Sequence, residues 1–346
     1  MRKSIACLII ILMTLLLCSC AHSASNPEPT PSPEPSFSPT PAESDIAVTV
    51  DGKELPVTYT VGEDIYIKLS DWIQLFGNDE EGKFEEAELF DGNDIFVPLS
   101  ELIDGKGYTE LKDDEYNHVY YTLLPDVNSI PEGIKVPVLM YHAVSDDCWG
   151  IQELFVSPSE MEKQLAYLKD NGYTTITFED FPRLGEIEKP VMLTFDDGYL
   201  DNYTELFPLL EKYGAKATVF IITDAIYSEK YLKADNIKEL SDSGLVSIQS
   251  HTVTHPNLDE LNEEQLIIEM ENSRLAVCRL TGKEPFVICY PTGTNSALSR
   301  EVAQRYYSFG ILMNGGGYTS GGDRFMIPRY YVSRYTDINS FASMIG

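Results

Sequence analysis

Two short segments concentrate the groups that could hold a metal ion and move a proton: Thr194-Phe195-Asp196-Asp197-Gly198 and His251-Thr252-Val253-Thr254-His255. Together they supply two adjacent carboxylates and two imidazoles, the donor set of a catalytic zinc-type site with one carboxylate left over as a base. Only five histidines occur in the 346 residues, so two of them four positions apart is a concentrated use of a scarce ligand. On a helical turn His251 and His255 point the same way, and a carboxylate from another segment completes a His₂Asp face with positions open for water and substrate. An HxxxH spacing alone is more often surface or core than ligand; the aspartate pair is what reverses that balance. If Asp197 binds the metal, Asp196 lies close by without being a ligand and can accept a proton from water. The competing reading is a plain turn, for which Asp-Asp-Gly is well suited. A turn, however, does not need the preceding buried strand to end in Thr-Phe.

The elements that must position these groups begin at Val136, where strands start to alternate with helices, the pattern of an α/β architecture. Candidate strands are Val136–Tyr141, Thr174–Thr177, Val191–Phe195, Ala217–Ile222, Val246–Ser250, Phe286–Tyr290, Phe309–Met313 and Tyr330–Ser333. Most are short, apolar and non-alternating, as strands buried on both faces are. Ser157-Pro158-Ser159-Glu160 reads as a capping box opening a helix that buries Met161, Leu165 and Leu168 and stops at Asn171-Gly172. Asn262 with Gln265 opens another helix, ending near Gly282. Seven or eight such units in about 210 residues predict a (β/α) barrel. Barrel enzymes carry their reactive groups just after the C-terminal ends of the strands. His142, the Asp196-Asp197 pair, His251 and Pro291 each follow a candidate strand in that way.

At these residues the chain resembles the NodB-type polysaccharide deacetylases, carbohydrate esterase family 4, over residues 136–346. Thr194–Gly198 and His251–His255 match that family's first two motifs. The resemblance implies a distorted (β/α)7-type barrel, with Asp196 as general base and Asp197, His251 and His255 holding a divalent metal, usually Zn²⁺. The implied reaction is hydrolysis of an N-acetyl group on a sugar polymer, releasing acetate. Its third motif, Arg-x-Pro-aromatic, stands here as Cys289-Tyr290-Pro291-Thr292, so the arginine that steers the base and the aromatic wall are both replaced. The Thr292 amide remains to help stabilise a tetrahedral oxyanion. No histidine follows His255, where a late catalytic histidine is usual. Val138–His142 and the Tyr290-Pro291 pair are similar to the poly-β-1,6-N-acetylglucosamine deacetylase branch, whose motif order is circularly permuted, which makes His142 the candidate general acid. A hydrogen-bonded histidine capping a strand end is the alternative. Arg329 is the candidate to stand in for the missing arginine beside Asp196, against an ordinary surface salt bridge.

The rest of the chain frames this unit. Residues 46–125 read as a small β-rich α+β domain in which Asp64–Ile73 and Asp94–Ile103 repeat one pattern of strand, serine cap and short helix. They resemble the small domain first named from copper amine oxidases, without a copper site, and imply envelope binding or a passive spacer. Residues 1–19 have a charged start and an apolar run too short to span a bilayer, and Leu17-Cys18-Ser19-Cys20 resembles a lipobox. The expectation is an exported protein, acylated at Cys20 on the outer face of a bacterial cytoplasmic membrane, with an ordinary cleaved signal as the alternative. Residues 20–45 form a proline-rich linker which, at about 3.1 Å per residue, reaches roughly 60 to 80 Å. A net charge of −30 argues against nucleic acid as a partner and favours a neutral or cationic substrate, or serves solubility alone. Cys148, Cys278 and Cys289, an odd set beyond the export segment, define no disulfide framework. Two further functions stay open: a catalytically silent glycan-binding lipoprotein, and an O-acetyl esterase acting on xylan or another glycan.

Overall fold

Eight parallel strands build the larger part of the chain: β1 Val138–Tyr141, β2 Thr174–Ile176, β3 Pro190–Phe195, β4 Ala217–Ile221, β5 Val246–Ser250, β6 Val287–Cys289, β7 Phe309–Ile311 and β8 Tyr330–Tyr331. In this computed structural model, which describes residues 42–77, 88–90, 94–313 and 315–346, they follow the order β7-β6-β5-β4-β3-β1-β8. β2 pairs beside the first half of β3. The expected export segment over 1–19 and the linker expected from Cys20, as far as residue 41, lie outside the described residues. The sheet curls into the distorted (β/α) barrel that the alternating pattern predicts. Between β7 and β8, residues 324–329 complete the wall through backbone bonds such as Leu312 N–H to Ile327 O at 2.8 Å.

The strands are buried on both faces, and the alternation of side chains along each strand sorts them into two layers. Leu139, Tyr141, Leu193, Phe195, Val219 and Ile221 point outward onto the helices, against Met161, Leu165, Leu210 and Leu240. Val138, Met192, Phe220, Val287, Cys289 and Phe309 point into the barrel. The same alternation decides which way site residues face. The helices end as their sequences require: Ser157 caps α1 (Pro158–Asp170), accepting from Glu160 N–H, and Asn262 and Gln265 form a reciprocal capping box on α2 (Glu263–Thr281). The box expected at Ser157 is half formed, because the Glu160 carboxylate is held by Lys163 instead. The strand expected over Val136–Tyr141 is split at Pro137, which has no N–H to donate. Lys135–Val136 turns away to pair antiparallel with Tyr318–Thr319.

The described residues between 42 and 123 form two small sheets with two short helices around Val48, Ile67, Trp72, Val97, Leu102 and Val119. The repeated strands, Asp64–Lys68 and Asp94–Pro98, lie side by side and antiparallel. Their helices begin at Leu69 and Leu99 without side-chain caps, so Ser70 and Ser100 lie one residue inside the first turn rather than capping it. This region packs on the end of the barrel away from the strand C-termini. Arg279, in the last turn of α2, is bidentate to Asp113 at 2.6 and 2.8 Å, and Gly52 N–H bonds Gly282 O at 3.0 Å. A side chain at Gly282 would meet the Gly52 backbone at 2.7 Å, so that approach requires glycine.

Candidate active site

The loops that leave the C-terminal ends of β1, β3, β5 and β6 converge on an open cleft of about 750 Å³. Asp197 follows β3 by two residues, with a left-handed backbone (φ 72°), and Gly198 continues the turn at φ 73°. A Cβ at Gly198 would stand 2.9 Å from Ile221, so the Asp-Asp-Gly turn needs its glycine to lie against β4. Asp197 Oδ1 lies 3.5 Å from His251 Nε2 and 3.8 Å from His255 Nε2. One ligand atom from each of the three falls within 4.8 Å of the others.

The histidines are not on a helical turn, as their spacing had suggested. Thr252 (φ 66°) and His255 (φ 58°) are left-handed, and side chains take the N–H groups that a helix would have used. Glu269 of α2 accepts from the N–H of Val253 at 2.9 Å, the N–H of Thr254 at 3.0 Å and the Thr254 hydroxyl at 2.7 Å. Thr252 Oγ1 accepts from His255 N–H at 3.1 Å. These bonds hold a strained loop, each left-handed residue costing roughly 1–3 kcal/mol, and bring the two rings within 4.7 Å at 75°. His251 Nδ1 sits 2.8 Å from Cys289 O and donates to it, which leaves Nε2 as the free donor atom.

The donor set fits a divalent cation. Burial and the neighbouring His251 push the His255 imidazole down, so its lone pair is available at neutral pH. Burial opposes ionisation of Asp197, but the imidazoles of His251 and His142 hold it well below the ordinary carboxylate range, and the Tyr199 hydroxyl donates to it. Burial also opposes protonation of His251, yet Cys289 and the Asp197 and Asp196 carboxylates raise it well above the usual imidazole value. The site therefore favours one positive charge at this point, carried by an imidazole proton or by a cation in its place. Two His nitrogens and one carboxylate oxygen, with an open cleft beyond, make the face expected of a catalytic zinc-type centre.

Asp196 lies beneath this triad and is 2% exposed. Arg329, the residue before β8, pairs with it through two bonds of 2.7 Å, from Nη1 to Oδ1 and from Nη2 to Oδ2. The guanidinium is itself fixed by Leu312 O at 2.6 Å, Thr194 Oγ1 at 3.0 Å and Cys289 Sγ at 3.3 Å. Burial alone would raise Asp196, but Arg329 outweighs it and keeps the group a carboxylate below the usual range. The small inward-facing Cys289 leaves room for this guanidinium, which reaches its Sγ. His142 Nε2 stands 3.9 Å from Asp196 Oδ2, and burial pushes the imidazole down against the pull of both aspartates. Its Nδ1 is buried with no partner among the described residues, while Asn202 Nδ2 fixes its backbone by donating to His142 O at 2.9 Å.

The third segment divides. Thr292 (φ 56°) is exposed at the cleft wall beside buried Pro291. Tyr290 borders the cleft, but its ring is on the outer face of the barrel, fully buried with Met270, Val302 and Tyr307. A Cβ at Gly310 would sit 2.4 Å from its hydroxyl, so the ring fills the space that glycine leaves and is unavailable to substrate. Alternation along β6 explains this: Cys289 faces in, so Tyr290 faces out. Glu269 and Tyr199 were not legible as site residues, since an acidic helix residue and a tyrosine after a turn carry no signal of what they will touch. Because Glu269 positions the loop between the two histidines, Glu269→Ala is expected to weaken metal affinity about 10- to 100-fold. Chelator competition on refolding-competent protein checks this, and wild-type affinity in the variant would refute it.

With this geometry the chain can be placed among known proteins. The polysaccharide deacetylase family model matches residues 185–307, a span that includes the triad and Asp196 and leaves out His142 and Arg329. YxkH of Bacillus subtilis, provisionally named a polysaccharide deacetylase, is 33% identical over 217 residues, covering 61% of this chain and 76% of YxkH. The crystal structure of BC0361, a polysaccharide deacetylase from Bacillus cereus, is similar with a TM-score of 0.60 at 30% identity, over 73% of this chain and 82% of that one. The poly-β-1,6-N-acetyl-D-glucosamine N-deacetylase of Staphylococcus aureus is 27% identical over 201 residues, 53% of this chain and 69% of that protein. The chain belongs to the polysaccharide deacetylase family. It is therefore a hydrolase by class.

Proposed function

We propose that the protein is a metal-dependent N-deacetylase of an N-acetylglucosamine-containing glycan of the cell envelope or its surroundings. The observation that carries this is the Asp197, His251 and His255 donor triad set directly above an arginine-held Asp196 on the floor of an open cleft. The Staphylococcus aureus relative, named for poly-β-1,6-N-acetylglucosamine, supports that polymer class.

The bound cation, most simply Zn²⁺, would polarise the acetyl carbonyl and lower the pKa of water. Everything else is work for the chain's own residues. Asp196, ionised and oriented by Arg329, takes the proton from the attacking water. Its depressed basicity lets it release that proton readily, and His142, 3.9 Å away, passes a proton to the departing amine. The amide of Thr292, at the cleft wall, is the group proposed to help stabilise the oxyanion. Arg329 favours this reading over a silent glycan binder, since sugar binding does not require a buried carboxylate held ionised.

The lipobox-like Leu17–Cys20 supports a lipid anchor at Cys20 on the outer face of the membrane. Loss of membrane association in Cys20→Ser is the expected result, and retention would contradict the anchor. The activity is tested by acetate release from poly-β-1,6-N-acetylglucosamine, peptidoglycan and acetylated xylan. Release from the first or second supports the N-deacetylase. Release from xylan alone would make it an O-acetyl esterase, and none from any would make it a binder.

A further inference from the structure

His142 stands just past the end of β1, where side chains take over part of the work of the sheet. The ladder between β1 and β3 ends where Asp196 N–H donates to Tyr141 O at 3.0 Å. Beyond it, Asn202 Nδ2 donates to His142 O at 2.9 Å, and Val144 N–H donates to Asp201 Oδ1 at 2.8 Å. These two bonds bracket Ala143, and Asn202 Nδ2 closes the clamp with a 3.1 Å bond to the same Asp201 oxygen. A side chain leaves the chain in the direction its backbone sets, so the clamp aims the His142 ring into the cleft that it lines.

Neither residue is where stability alone would place it. Asn202 is 1% exposed, and its Oδ1 has no partner among the described residues. Both of its N–H groups go to the clamp, and an apolar residue of similar size would avoid the desolvation that this carboxamide suffers. Burial pushes the Asp201 carboxyl up to about 6, against the two hydrogen bonds that favour its ionised form. The chain winds as a π-helix over Asn202–Leu206, a rare geometry that occurs frequently at functional sites. Asp201 follows the Asp196-Asp197-Gly198 turn by three residues, so one short segment carries the base, a metal donor and the clamp.

We infer that Asp201 and Asn202 are positioning residues for proton delivery, holding the His142 backbone so that its imidazole stands beside Asp196 and protonates the departing amine. The inference rests on the deacetylase reading of the site. As the C–N bond breaks, its electron pair goes to nitrogen, and the His142 proton must arrive there at the same time. A displacement of about 1 Å at such an atom costs on the order of a hundredfold in rate. Neither side chain belongs to the donor triad, so metal binding does not depend on the clamp.

The test compares two acetyl donors: an N-acetylglucosamine oligosaccharide, whose amine must take up a proton to leave, and 4-nitrophenyl acetate, whose nitrophenolate leaves without one. Asn202→Ala is expected to lower kcat on the oligosaccharide about a hundredfold with KM within about threefold, and to lower ester hydrolysis by no more than about threefold. Asp201→Ala is expected to show the same split. Asp201→Asn, which keeps an oxygen to accept from Val144 N–H, is expected to restore the oligosaccharide rate. In a His142→Ala background, Asn202→Ala is expected to cost nothing further on either donor. Equal losses on both donors, or losses that add to those of His142→Ala, would overturn the inference, because a damaged fold affects every substrate. Crystal structures of Asn202→Ala and Asp201→Ala give a readout free of activity. The His142 ring is expected to leave its place 3.9 Å from Asp196, and an unmoved ring in both would overturn the inference. A displaced ring, in a protein whose wild type releases no acetate from the oligosaccharide, would uphold the clamp and reject the deacetylase.

Discussion

Asparagine at position 196 is expected to lower turnover about a thousandfold or more while the protein still binds metal, because the amide keeps the shape of the carboxylate and loses its basicity. Asp196 is not one of the three donor residues; it lies beneath them, 2% exposed, with both oxygens on Arg329. The change also leaves a buried guanidinium without its counter-charge, so a loss of about 3–5 kcal/mol in stability accompanies the loss of rate. Rate, metal content and unfolding should therefore be measured on the same preparation. Near-wild-type turnover would remove Asp196 from the chemistry.

Arg329→Met is expected to be as damaging, by the opposite route. In the wild type the arginine holds Asp196 below the ordinary carboxylate range. Its contribution to stability is therefore present above the unfolded carboxylate value and lost as pH falls through the lower folded one. Without Arg329, burial dominates and pushes the carboxyl above its ordinary value, so Asp196 takes up a proton while still buried. Three consequences follow from that single shift. Stability falls by about 3–5 kcal/mol at neutral pH. The deficit shrinks as pH falls below the unfolded carboxylate value of about 4 toward the lower folded value, where wild-type Asp196 also takes up its proton. The acid limb of the pH–rate profile moves upward, because the base is neutralised sooner. An unshifted limb with lowered stability would make Arg329 a structural residue only.

The clustering of Asp197, His251 and His255 was legible in the sequence because metal chemistry restricts residue types, and because strands buried on both faces announce where their C-terminal ends lie. Arg329 was a candidate from its place just before the last strand, since the resembled motif lacks its arginine and needs the charge from elsewhere, and the structure puts it on Asp196. What escaped was backbone detail. The His251–His255 segment looked helical by spacing, yet Glu269 and Thr252 side chains take the N–H groups and force left-handed turns. Tyr290 belongs to the third motif and was expected at the substrate site, but one residue of strand alternation turns its ring into the core. Glu269 itself carries no sequence signal, because only the packing of α2 against the loop after β5 brings it to the site. Local spacing fixes which groups are near one another; it does not fix which N–H each will satisfy.

The most direct measurement is acetate release from poly-β-1,6-N-acetylglucosamine by protein stripped with a chelator and then titrated with Zn²⁺. The expected result is loss of release on stripping and full recovery at one equivalent per chain, with no recovery in His255→Ala at that stoichiometry. Undiminished acetate release from the stripped protein, or full recovery in His255→Ala, would contradict a metal centre at Asp197, His251 and His255.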